Sequence, residues 1–180
     1  MKLMIASDIH GSAYYCKKLL ECFDKEKADR LLLLGDILYH GPRNDLPRDY
    51  APKEVLAILN ERKNLLLCVR GNCDTEVDQM VLEFPVLADY AVIMTEQYTM
   101  YATHGHVYNE EQLPPLQNGD ILLCGHTHIP KCVRHENYIY MNPGSVSIPK
   151  ENSSHSYMLS EQNRFLWKTL EGNIFRSEIL

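Results

Sequence analysis

Residues 3–10 read Leu-Met-Ile-Ala-Ser-Asp-Ile-His, a short apolar run that ends in an acid and a histidine. The same plan recurs at residues 31–36, Leu-Leu-Leu-Leu-Gly-Asp, and near the other end of the chain at residues 121–128. Short apolar runs of this kind predict buried strands. In open α/β sheets ligands collect at the carboxyl ends of strands. These stretches therefore predict an α/β fold with a polar site at the strand ends.

Five apolar runs are followed by polar residues in this way, at 3–6, 31–34, 65–69, 98–102 and 121–124. The polar clusters that follow them are Asp8-Ile9-His10, Gly35-Asp36, Gly71-Asn72-Cys73-Asp74, Thr103-His104-Gly105-His106 and Gly125-His126-Thr127-His128. Five strand ends that carry Asp, His and Asn predict one shared site, and these residue types are typical of ligands for two metal ions.

The first third of the chain alternates between strand and helix patterns. A helix is expected after a cap at Ser12, with apolar residues at helical spacing through about Lys25. A second helix is expected to begin at Pro52, and a third strand to span residues 64–69. A strand-helix-strand-helix-strand order predicts parallel pairing with right-handed crossovers. The polar segment between Tyr39 and Pro52 is expected to form a functional loop beside the site.

The pattern changes after Pro85 to closely spaced runs typical of strands, at 86–95, 98–103, 121–124, 131–135 and 138–141. Turn signals around Asn137, Asn163 and Gly172 favour antiparallel hairpins in this part. A mixed sheet or two packed sheets flanked by helices is the expected architecture. Residues 1–180 are expected to form a single domain.

The amino-acid composition limits the classes of function that the protein can have. The formal net charge of −6 argues against an extended nucleic-acid surface, although a small phosphate ester at a local cationic site remains compatible with it. No apolar stretch approaches the ~20 residues of a membrane-spanning helix, and no signal peptide is recognisable. The six cysteines show no CxxC pair and are expected to be reduced thiols, so a cytoplasmic location without a membrane is predicted. Self-association into a homo-oligomer is compatible with the sequence but is not specified by it.

Two pairs of polar residues are spaced by two positions, Asp8 with His10 and His126 with His128. On an extended segment such residues face the same side, so each pair is expected to point into the site. Each pair alone could be structural, because strand-end Asp residues often form turns and histidine pairs are often not ligands. A mixed set of nitrogen and oxygen ligands suits manganese, iron or zinc better than magnesium.

Taken in order, the motifs DxH, GD, GNCD, THGH and GHTH resemble the signature of the calcineurin-like metallophosphoesterases. The GNCD form, residues 40–44 and residues 142–150 resemble the small bacterial phosphodiesterases of that superfamily in particular. The resemblance covers essentially the whole chain. It implies a four-layer α/β/β/α sandwich of two mixed sheets and two divalent metal ions, most often Mn²⁺, with Zn²⁺ or Fe as alternatives.

The resemblance also implies how the ligands divide. One ion would be held by Asp8, His10, Asp36 and His128. Asp36 would bridge to a second ion, which Asn72, His104 and His126 would complete. In such a centre a hydroxide that bridges the metals attacks phosphorus, because a bound metal lowers the pKa of water from 15.7 to about 7.

Five further residues are considered around this centre. Cys73 stands where the superfamily commonly has a histidine that protonates the leaving group, so it is either a weak catalytic acid or a small buried side chain at a turn. His106 is expected to face the pocket if its segment stays extended, preferably orienting a ligand. Arg43 is either a bidentate phosphate clamp or a solvated loop residue, and the same alternatives apply to Arg70. Ser145, in the turn at 142–145, is expected to be scaffold.

The leading hypothesis is a dinuclear metal-dependent phosphodiesterase that acts on a small phosphate ester. A phosphomonoesterase or nucleotidase with the same metal site is the alternative within the same class. A non-catalytic protein-binding scaffold is a third reading, since the same fold serves as a scaffold in eukaryotic membrane trafficking. The complete ligand set disfavours that third reading.

Overall fold

The computed structural model describes residues 1–180. The elements in chain order are β1 Lys2–Ala6, α1 Ala13–Glu26, β2 Arg30–Leu33, α2 Pro52–Asn60, β3 Leu66–Cys68, α3 Glu76–Val81, β4 Tyr90–Met94, β5 Thr99–Thr103, β6 Asp120–Leu123, β7 Lys131–Arg134, β8 Tyr138–Asn142, β9 Ser156–Glu161, β10 Arg164–Thr169 and β11 Ile174–Ile179. A short 3₁₀ helix, Lys63–Leu65, precedes β3.

The strands form two mixed sheets. One has six strands in the order β11-β10-β9-β1-β2-β3, and the other has five in the order β4-β5-β6-β8-β7. The first is parallel from β1 to β3 and antiparallel from β1 through β11. The strand-helix alternation in the first third of the chain therefore produces the parallel pairing that it predicts.

Helix α1 begins where the sequence indicates. The Ser12 hydroxyl accepts a hydrogen bond from the backbone N–H of Tyr15 at 3.3 Å, which satisfies one free N–H of the first turn. The helix ends at Lys27, whose left-handed conformation, φ 53°, stops further helical bonding. Helix α3 was not expected from the sequence. It begins with a capping box between Thr75 and Asp78. The helix has only six residues, too few to show a helical repeat of apolar residues in the sequence.

The prediction of antiparallel hairpins after Pro85 is only partly right. β4 with β5, β7 with β8, and β9 through β11 are antiparallel, and the turns before β8, β10 and β11 lie at the predicted positions. However, β5 pairs with β6 and β6 pairs with β8 in parallel. The reason is that residues 104–119 and then β7 return the chain to the same end of the sheet before the next strand begins. The strand expected over 86–95 is also shorter, spanning only Tyr90–Met94.

Two hydrophobic cores hold the layers together. Met4 and Ala6 of β1 pack in the core beneath α1 and α2, whereas Leu3 and Ile5 face the core between the sheets, which also contains Trp167. A strand that is buried on both faces has apolar residues at consecutive positions, which explains the apolar run at residues 3–6. The predicted pair of packed mixed sheets is thus confirmed, with α1 and α2 on the outer face of the six-stranded sheet. The outer face of the five-stranded sheet is covered in part by the irregular segment 104–119 rather than by a helix.

Two further properties bear on the setting of the protein. All six cysteines are unpaired. None of the helices has the length and apolar character that crossing a membrane requires.

Candidate metal centre

The polar clusters meet where strands of the two sheets end side by side. The backbone N–H groups of Asp8 and His10 donate to the carbonyls of Gly35 and Asp36 at 3.2 and 2.9 Å. Across the sheets, the backbone N–H of His126 donates to the Asp8 carboxylate at 3.2 Å. Residues that are far apart in sequence are therefore brought into one buried cluster.

The first group of side chains consists of Asp8, His10 and His128. The Nε2 atoms of the two histidines lie 3.2 Å apart, and Asp8 Oδ1 lies 3.6 Å from His10 Nε2 and 3.3 Å from His128 Nε2. All three residues are at most 3% exposed, so water does not compete for them. Their ligand atoms converge closely enough to share one cation.

The second group consists of Asn72, His104 and His126. His104 Nε2 lies 3.1 Å from Asn72 Oδ1 and 3.2 Å from His126 Nδ1. Asp36 stands between the groups, with Oδ2 at 3.6 Å from His10 Nε2 and 3.5 Å from His104 Nε2. The contacts divide the seven predicted ligands into two sets that share one carboxylate.

Three of the histidines are oriented by their other ring nitrogen. Nδ1 of His10, His104 and His128 donates to the backbone carbonyls of Tyr39, Leu34 and Ile148, at 2.8, 2.6 and 2.6 Å. A carbonyl can only accept, so each neutral ring carries its proton on Nδ1 and keeps its lone pair on Nε2. This is the usual arrangement of metal-binding histidines.

The backbone at the site differs from the expectation. Five of the seven residues have a left-handed conformation, with φ of 60° at Asp8, 50° at His10, 56° at Asp36 and 63° at both His126 and His128. The prediction that the two spaced pairs lie on extended segments is therefore wrong, because each pair occupies a tight turn after its strand. Such conformations are uncommon for residues with a Cβ and cluster at functional sites.

Asp74 holds two of the turns in place. Its buried carboxylate accepts hydrogen bonds from the backbone N–H groups of Asp36, Ile37 and Gly71, at 2.8, 2.9 and 2.7 Å. This bonding connects the end of β2 with the loop after β3. Asp74 has no role among the sequence-based predictions, although its place in the GNCD motif is a signal for one.

The turn at 142–145 supports the other loops. The Asn142 side-chain amide donates to the Gly125 carbonyl at 2.7 Å, and the hydroxyls of Ser145 and Ser147 donate to the Asp8 carbonyl at 3.0 and 2.9 Å. Gly144 has φ 81°, a conformation that favours glycine. The turn at 142–145 is thus scaffold, as expected, and Ser147 is a further supporting residue that no sequence signal indicated.

The groups of the cluster shift one another's pKa values in different directions. Burial by itself would raise the pKa of Asp36, but its hydrogen bond with His104 outweighs this and lowers the pKa. Burial likewise acts to lower the pKa of His104, yet the nearby Asp36 and Asp8 carboxylates raise it to about 9. Burial and the neighbouring charge of His104 lower the pKa of His126 to about 4.

The donor set fits divalent metal ions. The cluster contains imidazole nitrogens, carboxylate oxygens and one amide oxygen, which suit manganese, iron or zinc. Asp8 Oδ1 is buried with no hydrogen-bond partner, and two imidazole lone pairs point at the same place. A buried, unpaired carboxylate oxygen is costly unless a cation satisfies it.

Cys73 lies inside this cluster. Its thiol is within 4.8 Å of ligand atoms of His10 and Asp36, and its backbone N–H donates to Asp36 Oδ1 at 2.8 Å. The residue is 8% exposed, and burial raises the pKa of its thiol. Both predicted alternatives therefore remain compatible with its position, a weak acid beside the site and a small side chain at a tight turn.

His106 lies next to the cluster but outside the ligand contacts. Gly105, with φ 111°, turns the chain between His104 and His106, so the segment does not stay extended. The His106 ring packs 5.4 Å from that of His104 and 6.3 Å from that of His126, measured between centroids. Its Nδ1 is buried without a hydrogen-bond partner, so it does not orient a ligand through hydrogen bonding.

A cavity of about 390 Å³ opens onto the centre. Asp36, His126 and His128 line it together with residues 41–44, so the loop after Tyr39 lies beside the site as expected. Arg43 lines this cavity. Arg70 instead donates to the Asp74 carbonyl at 3.2 Å and approaches Glu76 at 3.6 Å, which makes it part of the loop support.

Fold and site together define the class of protein. Residues 1–164 match the model of the calcineurin-like phosphoesterase superfamily domain, and the chain belongs to this superfamily. It is 48% identical over 157 residues to the phosphodiesterase YfcE of Escherichia coli K12, covering 87% of this chain and 85% of that protein.

Solved structures agree with this assignment. The structure of YfcE, described as a phosphoesterase from E. coli, superposes with a TM-score of 0.96 at 43% identity and covers 99% of both chains. A Vps29 variant from Entamoeba histolytica superposes with a TM-score of 0.63 at 22% identity, over 100% of this chain and 98% of its own. That second similarity shows the common fold alone.

Proposed function

We propose that this protein is a metal-dependent hydrolase of phosphoric diesters. The observation that carries the proposal is that Asp36 lies between His10 and His104, so that one carboxylate joins the two groups of candidate ligands. The superfamily and the name of the E. coli relative support the activity. A site with an incomplete ligand set would favour the scaffold reading instead.

The proposed ligands of one ion are Asp8, His10, Asp36 and His128. The proposed ligands of the other are Asp36, Asn72, His104 and His126. Mn²⁺ is the proposed ion, with Zn²⁺ or iron as alternatives, because the set combines several imidazoles with carboxylates and contains no thiolate. When bound, the ions would supply an activated water and stabilise charge on the phosphoryl oxygens.

The residues of the chain prepare this chemistry in two ways. Backbone carbonyls hold three of the four proposed histidine ligands, His10, His104 and His128, with Nε2 directed inward, which limits reorganisation during the reaction. Arg43, at the open side of the cavity, is proposed to contact the anionic substrate through its guanidinium.

Hydrolysis forms one P–O bond from water and breaks the P–O bond to the leaving alcohol, which must gain a proton. Cys73 and His106 are the two side chains beside the centre that could supply it. Cys73 is the better placed, because its thiol lies within 4.8 Å of ligand atoms of His10 and Asp36. A thiol is nevertheless a weak acid at neutral pH, so a good leaving group should be preferred.

The test is hydrolysis of bis(4-nitrophenyl) phosphate and of 4-nitrophenyl phosphate by chelator-treated protein, with and without added Mn²⁺. We expect metal-dependent turnover of the diester at the higher rate. Faster turnover of the monoester would favour the phosphomonoesterase or nucleotidase reading. High-affinity Mn²⁺ binding with no turnover of either ester would favour a scaffold.

We also propose the domain organisation, the location and the partner of the protein. Residues 1–180 are proposed to act as one domain, supported by the core that the two sheets share. The six free thiols support a reducing compartment, for which we propose the cytoplasm. The proposed partner is a small phosphate ester, in keeping with the net charge of −6, which does not suit an extended nucleic acid.

A further inference from the structure

Two cations line the cavity that opens onto the metal centre, Arg43 and Lys150. Asp36, the only acidic residue in the lining, belongs to the ligand set. Neither cation takes part in an ion pair or a side-chain hydrogen bond, whereas many other lysines and arginines of the chain do. Both side chains are exposed, and in a chain with a net charge of −6 they give the mouth of this cavity a local positive charge that suits an anionic partner.

The backbone that carries each cation is tied to the site. Lys150 donates its backbone N–H to the His128 carbonyl at 3.2 Å, and its own carbonyl accepts from both the backbone N–H and the hydroxyl of Ser153, at 3.0 and 2.6 Å. On the other side of the cavity, Gly41 packs against Cys73 so closely that an added Cβ would lie 3.2 Å from its sulfur. The loop bearing Arg43 is therefore held beside the site as well.

The loop of Arg43 is also braced internally. The Asn44 side-chain amide donates to the His40 carbonyl at 2.9 Å, and the His40 ring packs edge-on against Tyr39 and Tyr50. Such bonding positions the Arg43 backbone before a ligand arrives. Preorganisation of this kind reduces the entropy lost on binding.

A simple phosphodiester carries one negative charge, and the metal centre itself provides positive charge for that group. Two further cations in the same cavity exceed what one phosphodiester needs. We propose that Arg43 and Lys150 form a subsite for a second anionic group, a phosphate or a carboxylate, carried by one of the two ester substituents. This inference rests on the proposed diesterase function and names the class of its substrate.

The test uses three 4-nitrophenyl phosphodiesters whose second substituent is 2-phosphonoethyl, 2-carboxyethyl or propyl. They share the leaving group and the two-carbon spacer and differ in the group at the end of the arm, which is a phosphonate, a carboxylate or a methyl group. For the wild type we expect kcat/KM to be roughly tenfold higher for a charged arm than for propyl, since each exposed cation contributes a modest factor. The two charged arms distinguish a phosphate-type group from a carboxylate.

The variants Arg43→Gln, Lys150→Gln and their combination should lower this charged-to-propyl ratio, with the double variant reducing it to near one. Lys53→Gln is the matched control, because it removes the same charge from an exposed residue of α2 outside the cavity. Binding of the unreactive 2-carboxyethyl and propyl methylphosphonates, measured by calorimetry, should show the same change in preference.

The outcomes separate the two proposals. Turnover of none of the three esters in the presence of Mn²⁺ overturns the diesterase function itself. Turnover of all three with equal kcat/KM leaves that function intact and overturns the subsite. The subsite would also be overturned if the Lys53→Gln control reduced the preference for the charged arms as strongly as the cavity variants do. The preference would then come from the overall charge of the protein.

Discussion

His10 and His128 bring their Nε2 atoms within 3.2 Å of each other although the residues are 118 positions apart. In each ring the other nitrogen, Nδ1, donates a hydrogen bond to a backbone carbonyl, at 2.8 Å for His10 and 2.6 Å for His128. The two Nε2 atoms and the Asp8 carboxylate are therefore placed to bind the same cation.

Metal removal should consequently destabilise the fold. Bound metal at 100 times its Kd stabilises the native state by about 2.7 kcal/mol. For a chain of this size we expect chelation to lower Tm by roughly 5–10 °C. Differential scanning fluorimetry with EDTA and then with excess Mn²⁺ measures this shift. An identical Tm in both conditions would count against a site coupled to folding.

Asp36→Asn should remove both metal binding and activity. The amide oxygen can still accept from the Cys73 backbone N–H, a bond of 2.8 Å in the native chain, so the loop should keep its geometry. The loss of the shared negative charge is expected to lower turnover of an aryl diester by roughly 10²–10³-fold or more. Calorimetry with Mn²⁺ and an assay of bis(4-nitrophenyl) phosphate check the two effects. Retained hydrolysis would contradict the assignment of Asp36 as a metal ligand in a metal-dependent hydrolase.

Asp74→Ala should reduce stability strongly although Asp74 is not a proposed ligand. The change leaves the backbone N–H groups of Asp36, Ile37 and Gly71 without their acceptor in a buried place. We expect a loss of about 2–4 kcal/mol in the free energy of unfolding, measured by urea denaturation. Asp74→Asn keeps one oxygen acceptor and should lose less. Equal losses in the two variants would show that the hydrogen bonds are not the cause.

Cys73→His should change the preference for leaving groups. An imidazole is a better proton donor than a thiol at pH 7, and alkyl esters need that proton more than aryl esters do. We expect the ratio of alkyl to aryl diester turnover to rise roughly tenfold or more, measured on matched esters. Cys73→Ser serves as a control of similar size. An unchanged ratio in the histidine variant would mean that position 73 does not protonate the leaving group.

Glu26 should make stability depend on pH. Burial acts to raise the pKa of its carboxyl, but the hydrogen bond and charge of Lys168 outweigh burial and lower the pKa, with help from Tyr157 and Lys2. A lowered pKa in the folded state gives stabilisation that is complete above the unfolded pKa of about 4.3 and is lost as the pH falls through the folded value.

Glu26→Gln should therefore cost about 1 kcal/mol at pH 7 and progressively less below about pH 4. Urea denaturation at pH 7 and at pH 3.5 measures the difference from the wild type. Glu21→Gln, an exposed position of the same helix, is the control and should be nearly neutral at both values. A cost that stays constant across this range would exclude the ionised carboxylate as its source.

Much of this protein could be predicted from local sequence. Apolar runs identified most of the strands, because residues buried on both faces of a sheet must be apolar over several consecutive positions. Ser12 and Pro52 marked helix starts through local hydrogen bonding and backbone restriction. The parallel pairing of β5, β6 and β8 could not be predicted in this way, since it depends on how the intervening segments return the chain.

The candidate site also has features that the local sequence predicts and features that depend on the tertiary structure. The ordered motifs by themselves carried the resemblance to the superfamily, and that resemblance implied the seven candidate ligands, whose residue types suit divalent metal ions. Only the tertiary structure decided that Asp8 and His128 meet in left-handed turns, that Asp74 and Asn142 hold those turns, and that Lys150 shares a cavity with Arg43. These relations depend on contacts between segments distant in sequence, which no local spacing or propensity contains.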